Sequence, residues 1–140
     1  MMARRTKFNE LKKIFDALHG PRGCPWDKKQ THQSLLPYLK EESHEFIAEV
    51  KRKDYEHMKE ELGDILLQVM FHAKIASKEG LFDIEDVIDT LINKLKRRHP
   101  HVFGNVKVMS VRDVLVNWKK IKAKEKMLGS RYKVPGSRKR

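Results

Sequence analysis

Four acidic residues occur at helical spacing in two neighbouring stretches of the chain. Glu42 and Glu45 lie three residues apart in the first stretch, and Glu61 and Asp64 lie three apart in the second. On a helical wheel with about 100° per residue, Glu42 falls within the apolar stripe of its helix, and the other three acids flank such a stripe. Carboxylates beside an apolar surface lose solvation, which is unfavourable unless a cation neutralises them. The pattern therefore indicates a metal site.

The two acidic stretches are predicted to face each other across a hairpin, because the connection between them is too short for any other arrangement. Counted from Lys53, Glu45 and Glu61 are each eight residues away, and Glu42 and Asp64 are each eleven away. The four acids therefore pair in two layers, about 4.5 Å apart at 1.5 Å per residue. We predict that they bind Mg²⁺, with Mn²⁺ as a possible substitute, because both ions accept all-oxygen ligands.

Two other interpretations of the acids are open. A solvated acidic face would need no metal, but it does not explain the symmetry about the turn. A di-iron carboxylate bundle is the second, because Glu41 and His44 match the Glu-x-x-His step of such proteins. The helical wheel directs His44 away from the apolar stripe, which disfavours that interpretation.

Apolar periodicity and capping residues predict that helices position these acids. The predicted helices run from Phe8 to Leu18, from Ser34 to about Arg52, from Asp54 to Gly80, from Asp83 to the residue before Pro100, and from Ser110 to Lys126. The stretch 20–33 is rich in turn residues and has no period, so it is predicted to be a loop. No alternation typical of strands occurs. The predicted fold class is all-α, with an antiparallel helical hairpin as its core.

Length and composition predict one cytoplasmic domain with a polyanionic partner. The chain has 140 residues and a formal charge of +12, from 31 Lys and Arg against 19 Asp and Glu. The single cysteine, Cys24, cannot form an internal disulfide, and no stretch has 18 consecutive apolar residues. Neither secretion nor a membrane span is therefore expected. The predicted helical domain covers 1–128, and 129–140 is predicted to be a basic, flexible tail.

The positive charge is concentrated in the last third of the chain. From Lys94 to Arg140 there are 16 basic residues against Asp113 and Glu125, a net charge of +14. Lys94 and Arg98 share a helical face, on which they could bind a phosphate chain. Complementing the helix dipole would explain only one or two of these cations. The alternative function is a non-enzymatic helical module that binds nucleic acid or has a regulatory role. It would use this basic segment but would leave the acids without a role.

Four segments of the chain together resemble one protein family. In chain order they read CPWDKKQTHQSLLPYLKEESHE, EELGDILLQVMFHA, KLKRRHPHVF and NWKKIKAKEK. Each segment alone is a weak signal, but the two acidic motifs followed by R-R-H-P-H-V-F are specific in combination. Over about residues 8–126, the chain resembles the MazG-type nucleoside triphosphate pyrophosphohydrolases, an all-α family.

The resemblance implies hydrolysis of a nucleoside triphosphate to the monophosphate and pyrophosphate, in control or sanitation of the nucleotide pool. The family's Mg²⁺ ligands match the four acids of the hairpin. The residues that match substrate contacts are Tyr38, Lys94, Arg97, Arg98 and Trp118. The resemblance also implies a homodimer or tetramer, in which two protomers complete a four-helix bundle. Nucleic acid would bind, if at all, through the basic tail.

The predicted catalytic residues are Glu42 and Glu41. Mg²⁺ held by the four acids would activate a water for attack on the α-phosphorus, and Glu41 is the candidate base beside the ligands. The basic residues would neutralise the departing pyrophosphate. The chain departs from the family in two respects. Many relatives carry two such domains, and Lys119 replaces the acid of the W-E-x-I-K motif, so the base preference does not follow from the resemblance.

Overall fold

Helices form nearly all the regular structure of this computed structural model, which describes residues 6–129. They are α1 (Lys7–Leu18), α2 (Pro25–Lys29), α3 (His32–Arg52), α4 (Tyr55–Lys78), α5 (Ile84–Arg98), α6 (Pro100–Phe103) and α7 (Val111–Leu128). No strand occurs in that range, which confirms the predicted all-α class. No helix within it is long and apolar enough to cross a bilayer. The chain divides into two compact units, Met1–Gly80 and Leu81–Arg140. The predicted tail at 129–140 lies outside the described residues, except for Gly129.

The first unit is built on the predicted hairpin, in which α3 packs against α4. The chain reverses at Lys53, whose left-handed backbone (φ 58°, ψ 32°) ends α3. Asp54 then caps α4 by accepting a hydrogen bond from the His57 amide. At the far end of the hairpin, the Nδ1 atoms of His32 and His72 lie 2.8 Å apart. Residues equidistant from Lys53 therefore face each other to within one or two positions.

The structure corrects the predicted start of the hairpin. Thr31, and not Ser34, is the N-cap of α3, because the Thr31 hydroxyl accepts from the Ser34 amide at 3.0 Å and the Ser34 hydroxyl accepts from the Thr31 amide at 2.8 Å. Pro37 consequently lies in the second turn of α3. The predicted loop at 20–33 also contains α2, which has Pro25 at its first position. A helix of one turn is too short to produce a detectable apolar period.

The core of the first unit lies away from the turn of the hairpin. The fully buried residues of α4 all fall between Gln68 and Ala76, and Phe71 packs edge-on against Phe15 of α1 at 5.5 Å between ring centroids. Leu35 of α3 is 1% exposed. The half of the hairpin that carries the acids is less covered, so its carboxylates are only partly removed from water.

The second unit contains α5, α6 and α7, of which α5 contacts both of the others. Asp83 begins α5 with a capping box shared with Asp86, and Ser110 caps α7. Both starts were predicted from the sequence. No described residue between 81 and 129 is fully buried.

Candidate functional site

Three carboxylates of the hairpin converge on one point. Glu42 and Glu45 from α3 and Glu61 from α4 each offer an oxygen, and these oxygens all lie within 4.8 Å of one another. Glu42 and Glu61 are half-buried, whereas Glu45 is exposed. The convergence follows from local structure, because the three-residue step on each helix and the tight turn bring both pairs to the same side.

Burial, together with repulsion between the acids, raises the pKa values of two groups in this cluster. Burial raises the pKa of Glu42 to about 7, with further increases from the charges of Asp64 and Glu45 and from hydrogen bonds to Glu45 and Glu61. Burial also raises the pKa of Glu61, followed by a hydrogen bond to Glu45 and the charges of Glu45 and Asp64. Asp64 is therefore close enough to act on both groups, although its oxygen is not one of the converging three.

The cluster fits a hard divalent cation. One oxygen of each of two acids, Glu42 Oε2 and Glu61 Oε2, is buried and takes no part in the hydrogen bonds of the cluster or in any other among the described residues. Buried oxygens of this kind normally have a donor or a cation, because an unpartnered polar atom is costly. The ligands are all carboxylates, which suits Mg²⁺ or Mn²⁺. The acids could therefore hold a metal ion. The raised pKa values of Glu42 and Glu61 apply to the cluster with no metal bound.

A second group near the turn, formed by Glu49, Asp54 and His57, also brings possible ligands together. Its members are already paired. His57 Nδ1 lies 2.6 Å from Asp54 Oδ2, and Arg52 donates to Glu49 at 2.8 Å. The hydrogen bond lowers the pKa of Asp54 and raises that of His57, which is the reverse of the repulsion in the first cluster. The first cluster is therefore the better metal site.

The structure places the remaining residues predicted on α3 as follows. Glu41, the predicted base, is exposed, and it is not part of either ligand group found among the described residues. His44 is also exposed and outside both groups, which gives the di-iron interpretation no support. Tyr38 is 40% exposed and lies edge-on to Trp26, with ring centroids 5.8 Å apart.

The basic residues of the second unit have a partner that was not predicted from the sequence. Arg97 Nε donates to Glu125 at 2.7 Å, and an Arg98 terminal nitrogen donates to the other Glu125 oxygen at 2.9 Å. These hydrogen bonds lower the pKa of Glu125 to about 2. Lys94 is exposed. The predicted phosphate-binding arginines are therefore cross-linked by one carboxylate of α7.

Two features of the sequence could have identified Glu125 as a partner of the arginines. Glu125 is one of only two acids in the basic segment 94–140, and it lies seven residues after Trp118, on the same face of α7. Trp118 contacts His99 edge-on at 5.4 Å. Trp118 Nε1 and Arg98 Nε are both buried without a hydrogen-bond partner among the described residues. These two N–H groups of the second unit therefore have no acceptor among residues 6–129.

Comparison with known proteins identifies the family. Residues 30–103 match the model of the MazG nucleotide pyrophosphohydrolase domain. The chain is 56% identical over 119 residues to the nucleoside triphosphate pyrophosphohydrolase/pyrophosphatase MazG of Thermotoga maritima, covering 85% of this chain and 45% of that protein. It is 40% identical over 122 residues to the nucleoside triphosphate pyrophosphohydrolase of Escherichia coli, covering 86% and 46%. The chain therefore spans less than half the length of these two relatives.

A solved structure agrees with these sequence matches. The fold resembles the crystal structure of a mazG-related protein from Thermotoga maritima, with a TM-score of 0.68 and 30% sequence identity. The match covers 83% of this chain and 98% of that one. Because the family model matches more than half of the chain and the fold agrees, the chain belongs to the MazG nucleotide pyrophosphohydrolase domain family.

Proposed function

We propose that the chain hydrolyses nucleoside triphosphates to nucleoside monophosphates and pyrophosphate with the help of Mg²⁺. The observation that carries this proposal is the convergence of Glu42, Glu45 and Glu61, of which Glu42 and Glu61 each have one buried, unpartnered oxygen. The names of the relatives from Thermotoga maritima and Escherichia coli, both nucleoside triphosphate pyrophosphohydrolases, support the same reaction. Nucleotide-pool control in the cytoplasm belongs to the proposal, because that pool supplies the substrate.

The four acids would hold the metal, and each contributes differently. Glu42, Glu45 and Glu61 offer the converging oxygens, while Asp64 adds negative charge beside them. When bound, Mg²⁺ supplies Lewis-acid polarisation of the phosphate and lowers the pKa of a coordinated water. Glu41 is the proposed acceptor of the proton that the attacking water loses. Its exposed carboxylate and its position next to Glu42 support that role.

The proposed nucleotide-binding groups include three basic residues of α5 and Trp118 of α7. Lys94, Arg97 and Arg98 carry the positive charge that a departing pyrophosphate requires. The buried, unpartnered Arg98 Nε and Trp118 Nε1 support a ligand at these residues. Trp118 would stack on the base, as aromatic side chains do in nucleotide sites. Tyr38 is a further proposed substrate contact.

A homodimer or tetramer is also part of the proposal. Leu62, Leu66 and Val69 lie on α4, and they are 50%, 42% and 38% exposed. Large apolar side chains on one stretch of helix are typical of a surface that packs against another chain. A second copy of the hairpin would cover them and complete a four-helix bundle.

Pyrophosphate release from a panel of ribo- and deoxyribonucleoside triphosphates tests the function. We expect release with Mg²⁺ and none with EDTA. Asp64→Asn should lose turnover by orders of magnitude, whereas the matched variant Asp89→Asn, at an exposed position of α5, should retain it. Wild-type turnover in Asp64→Asn would contradict the site. No release from any triphosphate, together with salt-sensitive binding of nucleic acid, would instead support the non-enzymatic module.

A further inference from the structure

Gln68 is the one fully buried polar residue between 6 and 129. Its side chain is 4% exposed, and its Oε1 atom is buried without a hydrogen-bond partner among the described residues. Buried amide oxygens nearly always have a donor, since leaving one unpaired forfeits its hydration without replacement. A donor from outside the described residues would satisfy this oxygen.

The position of Gln68 relates it to the acid cluster. With about 100° per residue, Gln68 falls between Glu61 and Asp64 on the wheel of α4. It follows Asp64 by one helical turn, an axial rise of about 6 Å. The wheel therefore places the buried amide on the same face of α4 as the proposed metal ligands.

The hairpin adds an aromatic side chain to the same level. Tyr38 and Gln68 are each fifteen residues from Lys53, so they form the layer after the one that contains Glu42 and Asp64. Tyr38 is 40% exposed, and its edge-on neighbour Trp26 is 48% exposed. An exposed aromatic ring in the same layer of the hairpin as an unpaired amide is a combination that suits a planar, hydrogen-bonding ligand.

We infer that Gln68 is a substrate contact that recognises the nucleoside, through a hydrogen bond that its amide oxygen accepts from an N–H or O–H group of the ligand. This inference rests on the proposed function, which places the triphosphate at the acids. In a nucleotide the base and ribose lie beyond the α-phosphate, and the layer of Tyr38 and Gln68 lies one turn beyond Asp64. The donor is either a base N–H or a ribose hydroxyl, and the test separates these two sources.

Binding of non-hydrolysable ligands to the full chain tests the role of Gln68. The probes are α,β-methylene nucleoside triphosphates with each base, in ribo and 2′-deoxy forms, in the presence of Mg²⁺. Inorganic tripolyphosphate is the probe without a nucleoside. Gln68→Met removes the amide with little change of shape, and Gln33→Met makes the same change at an exposed position of α3. Gln68→Leu is a second apolar variant in case the first does not fold.

We expect Gln68→Met to weaken binding of the recognised nucleotides by about tenfold, with tripolyphosphate affinity unchanged. A loss confined to the ribo series would identify a ribose hydroxyl as the donor. A loss in both series, limited to certain bases, would identify a base N–H. Gln33→Met should bind all the probes as the wild type does.

Thermal unfolding without ligand provides the second measurement. An apolar side chain at this position should leave the melting temperature equal or higher, because it removes a buried unpaired oxygen. Equal weakening of tripolyphosphate and nucleotides, or a lower melting temperature with weaker binding of every probe, would show a structural role and overturn the inference. Unchanged binding in a folded variant would overturn it as well. If the wild type binds no probe, the proposed function itself fails, which is a distinguishable result.

Discussion

Replacing Glu42 by glutamine should stabilise the metal-free protein at neutral and alkaline pH. In the fold, Glu42 has a pKa of about 7 against an ordinary value of 4.5, mainly because burial and neighbouring carboxylates disfavour its charge. A carboxyl whose pKa rises on folding favours the native state while it is protonated. That contribution is fully present below about pH 4.5 and is lost as the pH rises to about 7. Glutamine does not ionise, so the variant does not lose this stability as the pH rises.

The expected gain in stability of Glu42→Gln follows from the pKa shift of Glu42. At about 1.36 kcal/mol per pKa unit, the full shift corresponds to roughly 3 kcal/mol. Glu42 is only half-buried, so solvent screening reduces the expected contribution to about 1–2 kcal/mol. In EDTA at pH 8, the free energy of unfolding of Glu42→Gln should exceed that of the wild type by about this amount. At pH 4 the two proteins should be equally stable.

Urea denaturation followed by circular dichroism, between pH 4 and pH 8, measures these differences. Glu60→Gln, at an exposed position of α4, is the matched control and should follow the wild type. Adding Mg²⁺ at pH 8 should stabilise the wild type by mass action, and Glu42→Gln much less. A variant that is less stable than the wild type at pH 8, or a stability difference that does not depend on pH, would refute the repulsion argument.

The remaining predictions concern Glu125 and two glycines. Glu125 has a pKa of about 2 in the fold, below its ordinary value of 4.5, so its hydrogen bonds should stabilise the fold above about pH 4.5 and be lost as the pH falls towards 2. Glu125→Gln should abolish this pH dependence of stability. Acid denaturation measures it, followed by the fluorescence of Trp118 in a Trp26→Phe background. Gly23→Ala should lower the melting temperature, because the added Cβ would lie 2.1 Å from a backbone oxygen of α1. Gly63→Ala has open space around its Cβ and should raise the free energy of unfolding by about 0.5–1 kcal/mol in thermal or urea unfolding.

The sequence predicted the elements that position the acids with few errors. Asp54, Asp83 and Ser110 cap the helices that they were expected to begin. These signals are reliable because a capping side chain bonds amides only two or three residues away. The start of α3 was placed three residues late, at Ser34, because Thr31 and Ser34 can each serve as a cap. The structure resolves the choice by giving both residues a role in one capping box.

The candidate site was predictable to the extent that it depends on helix geometry. The step from Glu42 to Glu45, and the equal distances from the turn, were sufficient to predict that acids of both helices meet. The helical wheel predicted that Glu42 lies in the apolar stripe, but it did not distinguish Glu61 from Glu45, because it placed both beside such a stripe. Glu42 and Glu61 become half-buried while Glu45 stays exposed, because burial depends on how closely α3 and α4 approach at each layer.

The sequence by itself determined the helical class, most helix starts, the hairpin and the family, because each of these is encoded in periodicity, caps and motifs within short stretches of chain. Only the tertiary structure showed that Glu125 holds both arginines from a distant helix and that Gln68 is buried without a partner. Both facts depend on which surfaces come together. A side chain's hydrogen-bond partners and its access to water are properties of packing, and residues far apart in the chain establish them jointly.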